Sequence, residues 1–119
     1  MSDVLIVGPD EFDITARFRE TDISAIHLDG VPVGADLDDA GIEEAKVVLL
    51  THVDHASLIP VAKERNPDIQ IVLYTSARLP PFASRQADVA IDQALVEVEE
   101  VIDAVADRVR DGRASKGFS

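Results

Sequence analysis

The sequence predicts an α/β fold: a three-layer sandwich with helices on both faces of a parallel sheet. Short apolar runs such as Val4–Val7 and Val47–Leu50 are typical of strands buried on both faces. Segments with helical spacing of apolar residues separate these runs. A chain of 119 residues is long enough for one such domain. We expect that domain at residues 1–111 and a flexible polar tail at residues 112–119.

The first half of the chain has three predicted strands joined by helical segments. Asp10 is the expected N-cap of the first helix, where Glu11 and Asp13 suit the positive end of the helix dipole. The predicted elements are a strand at Val4–Val7, a helix at Glu11–Glu20, a strand at Ser24–Leu28, a helical turn or two at Asp36–Ala45 and a strand at Lys46–Leu50.

The segment Gly30–Gly41 leaves the number of strands open. Its VPVGA stretch allows a sixth, edge strand, although Pro32 and Gly34 permit only an irregular one. Without a strand in this segment the sheet has five strands in the order 2-1-3-4-5, the flavodoxin-like arrangement. The fold is therefore Rossmann-like or flavodoxin-like.

The second half of the chain continues the alternation of helices and strands. Its last helix places Val98, Val101, Ile102, Val105 and Val109 on one apolar face. The predicted elements are a helix from Asp54 or Ser57 to Arg65, a strand at Ile69–Tyr74, a short helix from Pro80 or Pro81 to Gln86, a strand at Val89–Ile91 and a helix at Val96–Arg110.

The charge balance is strongly acidic. The chain has 23 Asp and Glu residues against 11 Lys and Arg, a formal net charge of −12. An excess of Asp with only three lysines is typical of cytosolic proteins of salt-loving archaea, where molar salt shortens the Debye length to ~3 Å and screens the repulsion between carboxylates. The spread of the acids along the chain favours this interpretation. An acidic surface made for a basic partner is the alternative. Either interpretation argues against nucleic-acid binding, which needs clustered positive charge.

Composition also predicts the compartment. The chain has no cysteine, which excludes disulfides and thiolate metal sites. No apolar segment approaches the ~20 residues that span a bilayer, and no signal-peptide pattern precedes the first strand. We therefore expect a cytoplasmic protein without membrane insertion.

Several stretches together resemble the TrkA-N domain, the Rossmann-like N-terminal module of RCK regulators of potassium transport. VLIVG at residues 4–8 is similar to its first strand, and Asp29 stands where that family has an acidic residue closing the second strand. AGIEEAKVVLLT at residues 40–51, with Asp54 and Ser57 after it, resembles a fairly specific middle segment of the family. LPPFASRQADVAI at residues 79–91 resembles a later segment. The resemblance implies a regulatory domain that binds NAD or an adenine nucleotide.

The glycine-rich loop departs from that family. Its G-x-G-x-x-G pattern is here Gly8 to Asp13, with Asp10 and Asp13 in place of the second and third glycines. Carboxylates at this position repel a diphosphate, which the family binds at the helix N-terminus. The cofactor is therefore undetermined from the sequence.

The chain also resembles a response-regulator receiver. NPDIQIVLYTSA at residues 66–77 is similar to the fourth strand of that family, and Asp10 with Glu11 to its acidic pair. The phosphoacceptor position, however, holds Thr51, and the lysine position holds Asp92. Phosphorylation there needs a carboxylate nucleophile with Mg²⁺ and a lysine, so this resemblance implies a pseudo-receiver.

Candidate site residues cluster where strands are expected to leave the sheet, because ligands of open parallel sheets bind at that edge. His52, Asp54 and His55 could ligate a metal, but helix capping by Asp54 or Ser57 explains them better. Asp10, Glu11 and Asp13 could hold a cation, but a solvated helix start is favoured. The predicted ligand-binding residues are Gly8, Pro9, Asp10, Asp29, Thr51, His52, Asp54 and Arg78.

The sequence carries no catalytic motif, so we predict that the protein is not an enzyme. The first hypothesis is a stand-alone, ligand-sensing regulatory module related to TrkA-N domains. The alternative is a pseudo-receiver-like interaction domain without a small ligand. Both allow a homodimer or another protein partner. Exposed apolar side chains on the last helix would favour the alternative, and a deep crevice lined by Arg78 would favour the first.

Overall fold

The computed structural model describes residues 3–10, 12–28, 33–52, 57–75 and 87–118, and side chains as far as Arg110. The elements are β1 Val4–Val7, α1 Ile14–Arg19, β2 Ala25–Leu28, α2 Gly34–Asp39, β3 Val47–Leu50, α3 Leu58–Arg65, β4 Gln70–Thr75, β5 Val89–Asp92 and α4 Val98–Phe118.

The five strands form one parallel sheet in the order β2-β1-β3-β4-β5. Ile6 of β1 lies between His27 of β2 and Leu49 of β3, and Leu49 lies beside Val72 of β4. This confirms the predicted α/β sandwich with its flavodoxin-like order. Residues 33–41 contribute α2 and a turn rather than a strand, and residues 29–32 lie outside the description.

Helices cover both faces of the sheet because side chains alternate between faces along each strand. Val4 and Ile6 face α1 and α4, where they pack with Phe18 and with the predicted apolar face of the last helix. Leu5 and Val7 face the other way and pack with residues of α2 and α3. All of β1 and β3 is buried, as their uninterrupted apolar sequences predict.

The start of α1 differs from the prediction. The helix begins at Ile14 rather than Glu11, after Asp13 adopts a left-handed backbone with φ of 53°. The N-cap residue is Asp13 rather than the predicted Asp10. The Asp10 carboxylate nevertheless accepts hydrogen bonds from the amides of Ile14 (2.6 Å) and Thr15 (3.2 Å) at the start of the helix. Asp is one of the few residues that tolerate the left-handed turn needed for this geometry.

Two other helix ends correct the sequence analysis. The last helix runs to Phe118 rather than ending at Arg110, because Gly112 costs only about 1 kcal/mol in a helix and no proline follows it. Flexibility of residues 112–119 stays a prediction. Ser57 is the N-cap residue of α3, in agreement with one of the two predicted starts, but its side chain makes no hydrogen bond to the helix, so the predicted capping bond is absent. The helix predicted from Pro80 or Pro81 lies outside the described residues.

Within the described part of the chain, no helix combines the length and the apolar character needed to cross a membrane.

Candidate functional site

The carboxyl edge of the sheet brings the ends of the central strands together. Thr51 follows β3, Thr75 ends β4 and Asp92 ends β5, beside Thr75 in the sheet register. Gly8, Pro9 and Asp10 follow β1 at the same edge because all strands run parallel. In the receiver resemblance, Thr51 stands at the phosphoacceptor position, Asp92 at the lysine position and Asp10 in the acidic pair.

Thr51 connects β3 to the loop after β1. Its hydroxyl donates to the Pro9 carbonyl at 2.7 Å and lies 3.3 Å from the Val7 carbonyl, and its amide donates to Val7 at 3.0 Å. The side chain is buried. Since a hydroxyl has one proton, the shorter contact marks its acceptor. Thr51 is therefore a structural residue of this edge, with its hydroxyl proton engaged by the loop backbone.

Gly8 gives the same loop a second connection. Its φ of 113° lies where only glycine is unstrained, and its carbonyl oxygen lies 2.6 Å from Nε2 of His27 in β2. A carbonyl oxygen only accepts, so Nε2 of His27 carries the proton. The loop after β1 is thus bonded to the strands on both sides of β1.

Asp10 occupies the position where an anion would meet α1. Its carboxylate already accepts from the first amides of that helix, which in nucleotide-binding loops face phosphate. The described part of the chain contains no group of three His, Cys, Asp or Glu side chains able to hold a metal. Glu11 lies outside the description, so the cation hypothesis at Asp10, Glu11 and Asp13 is untested.

The predicted site residues divide into two groups. Gly8, Pro9, Asp10 and Thr51 lie together at the edge, and His52 follows Thr51 with an exposed side chain. The other predicted residues, Asp29, Asp54, His55 and Arg78, lie outside the described residues, so a crevice lined by Arg78 stays a prediction.

A second feature, which the sequence analysis did not predict, lies around Tyr74. This buried side chain donates its hydroxyl to the Val96 carbonyl at 2.8 Å and packs against the Phe12 ring, with 5.7 Å between ring centroids. Gln93 supports it by donating its side-chain amide to the Tyr74 carbonyl at 2.7 Å. Burial, and then the nearby charges of Glu99 and Glu97, raise the pKa of the Tyr74 phenol above 10.0.

Tyr74 forms part of an open groove of about 610 Å³ between α1 and the segment joining β5 to α4. Phe12 and Val96 line the groove beside Tyr74, and Leu95 stands at its lip with 82% of its surface exposed. Arg17 crosses one end, where it donates to Glu99 at 2.8 Å and to the Phe12 carbonyl at 3.0 Å. We call this feature the Tyr74 groove.

The comparisons with known proteins extend this description. Residues 4–105 match the model of a family of unknown function, DUF7126. The chain belongs to that family. Proteins of curated function give no match.

Solved structures similar to this DUF7126 chain have the same α/β fold. An atypical orphan response regulator superposes with a TM-score of 0.69 at 18% identity, covering 90% of this chain and 94% of the other. A receiver domain from Clostridium thermocellum gives 0.71 at 8% identity, covering 96% and 98%. The TrkA-N domain of the Escherichia coli inner membrane protein ybaL gives 0.56 at 16% identity, covering 90% and 96%. The two receiver-type structures thus superpose better than this TrkA-N domain.

Proposed function

We propose that the protein is a non-catalytic, receiver-like interaction module that acts on a protein partner without phosphorylation and without a small ligand. The observation that carries this proposal is the chemistry of the sheet edge. Thr51 takes the phosphoacceptor position with its hydroxyl bonded to Pro9, and Asp92 takes the lysine position.

This edge is unsuited to phosphoryl transfer. The reaction needs an ionised carboxylate as nucleophile, and a neutral hydroxyl without an adjacent base is a poor substitute. A phosphorylated receiver also needs positive charge near the new phosphoryl group, whereas Asp92 contributes a carboxylate whose Oδ1 accepts from the Ala94 amide at 2.8 Å. Asp10, which stands in the acidic pair of the receiver resemblance, accepts a hydrogen bond from the Ile14 amide of α1.

The fold comparison supports a regulatory role of this kind. The atypical orphan response regulator is described as having a phosphorylation-independent regulatory mechanism. That mechanism belongs to that protein, and it is a precedent for regulation by the receiver fold without the modification.

The nucleotide-sensing hypothesis is less well supported. A diphosphate bound in TrkA-N fashion would have to displace the Asp10 carboxylate from the amides of Ile14 and Thr15 and then face its negative charge. The same arrangement disfavours any nucleotide that places phosphate at the start of α1.

The first experiment treats the purified chain with acetyl phosphate and Mg²⁺ and measures its intact mass, with a phosphorylatable receiver as the positive control. Thermal unfolding with NAD, NADH, ATP, ADP, AMP and cyclic dinucleotides follows. We expect an unchanged mass and unchanged melting temperatures. A ligand that binds only the folded state at a hundred times its Kd would add ~2.7 kcal/mol. A phosphoryl adduct or such a stabilisation would refute the proposal.

A further inference from the structure

We infer that the Tyr74 groove binds a short protein segment in which an apolar side chain is flanked by lysine or arginine. The inference rests on the proposed function, because it names the surface and the chemistry of the partner. It depends on three observations: an apolar floor, an exposed apolar lip and uncompensated negative charge beside them.

The groove offers an apolar contact that the domain leaves unfilled. Phe12 and Val96 are only half-buried although both pack against the core around Tyr74. Leu95 is 82% exposed, the largest exposed fraction among the large apolar side chains of the described residues. An exposed leucine beside a concave surface with aromatic walls is the arrangement into which an apolar anchor of a partner packs.

The charges beside the groove select a basic segment. Arg17 is already paired with Glu99 at 2.8 Å, so the groove's described cation is matched by a carboxylate. Glu97 lies at the groove, and Glu100 and Asp103 lie within the next two turns of α4, all exposed. None of these three forms an ion pair within the described part of the chain. Lysine or arginine beside the apolar anchor would supply the missing positive charge.

The same charges argue against two other occupants. A second copy of this chain would bring another net charge of −12 to the surface, and like charges placed together oppose association. A nucleotide phosphate would face Glu97 without a free cation among the described lining residues. The groove is also open to solvent rather than enclosed, which suits a protein segment better than a buried small molecule.

The direct test uses a peptide probe of two leucines set among lysines, without aromatic residues. Tyr74 is the only tyrosine and the chain has no tryptophan, so the intrinsic emission reports the groove itself. The matched probes are a peptide with lysines replaced by glutamates and one with leucines replaced by serines. We expect saturable binding of the first probe alone, with amide NMR shifts centred on residues 93–99. Equal binding of all three probes, or of none, would overturn the inference.

Two variants with matched controls locate the binding. Leu95→Ala and Glu97→Lys change exposed side chains, so the fold is retained. Each should weaken the leucine–lysine probe about tenfold, as expected for a central anchor or a charge partner. Val33→Ala and Glu64→Lys are the controls: each truncates an exposed apolar side chain or reverses an exposed charge beside α2 and α3, on the opposite face, and should leave affinity within about twofold. Equal effects of both pairs would overturn the inference.

Photo-crosslinking separates failure of this inference from failure of the proposed function. A photoreactive residue replaces Leu95 in one sample and Val33 in the other, and each is irradiated in extract of the source cells. A specific adduct at position 95 whose crosslinked partner peptide is both basic and apolar would support binding at the Tyr74 groove. A specific adduct at position 33 alone would overturn the groove but keep an interaction function. No adduct at either position, together with unbound probes, would count against both.

Discussion

Replacing Thr51 with valine tests whether its hydroxyl holds the sheet edge together. The substitution keeps the branched shape of the side chain and removes the donor to the Pro9 carbonyl. A hydrogen bond of this kind contributes about 0.5–1.5 kcal/mol net. Because Pro9 is exposed, we expect water to bind its freed carbonyl, which places the loss near the middle of that range rather than above it.

The expected loss is therefore about 1 kcal/mol, or roughly 4 °C in melting temperature for a domain of this size. Urea unfolding at constant KCl, followed by circular dichroism, measures it, and an unchanged slope with urea shows that the transition stays the same. Thr51→Ser is the control, since it keeps the hydroxyl and loses a methyl group. If the valine variant is as stable as the original chain while the serine variant is not, packing rather than the hydrogen bond holds this loop.

Three further predictions concern buried polar groups and charge. The Thr15 hydroxyl is buried without a hydrogen-bond partner, so Thr15→Val should raise the free energy of unfolding by about 1 kcal/mol in the same urea assay, and a loss would show that the hydroxyl is satisfied. The raised pKa of Tyr74 favours its neutral form in the folded state, so the free energy of unfolding should not depend on this group below pH 10.0 and should fall as pH rises through the folded pKa. Tyrosinate absorbance and urea unfolding across that range measure this, and a phenol that ionises at or below 10.0 would refute it. Melting temperature should rise with KCl because salt screens the repulsion between surface carboxylates. The rise should be smaller in the double variant Glu43→Gln/Glu44→Gln, which removes two exposed charges near α2, and an unchanged salt response would contradict charge repulsion there.

The fold followed from the sequence because its strands carry a strong local pattern. VLIV and VVLL are fully apolar, and the only open question, a strand in Gly30–Gly41, came from the conflicting tendencies of its valines and of Pro32 and Gly34. Helix ends were less predictable. The start of α1 depends on a left-handed Asp13, and the end of α4 on whether Gly112 stops a helix.

The position of the candidate site at the sheet edge was predictable from the sequence, but the hydrogen bonds at that edge were not. Parallel topology brings Pro9 and Thr51 to one edge, yet only the three-dimensional register shows that the Thr51 hydroxyl meets a backbone carbonyl. The Tyr74 groove was not predictable in the same way. It requires Phe12 of the first loop and Leu95 of the last to line one groove, which no local pattern records.

The two connections of the β1–α1 loop have an evolutionary consequence. Thr51 and His27 both bond to backbone carbonyls, so neither bond depends on which side chain stands at position 9. Among DUF7126 members that keep this loop path, position 9 should vary freely, while position 27 retains a ring donor, position 51 a hydroxyl and position 8 glycine. A hydroxyl lost at position 51 should be accompanied by a changed loop length after β1.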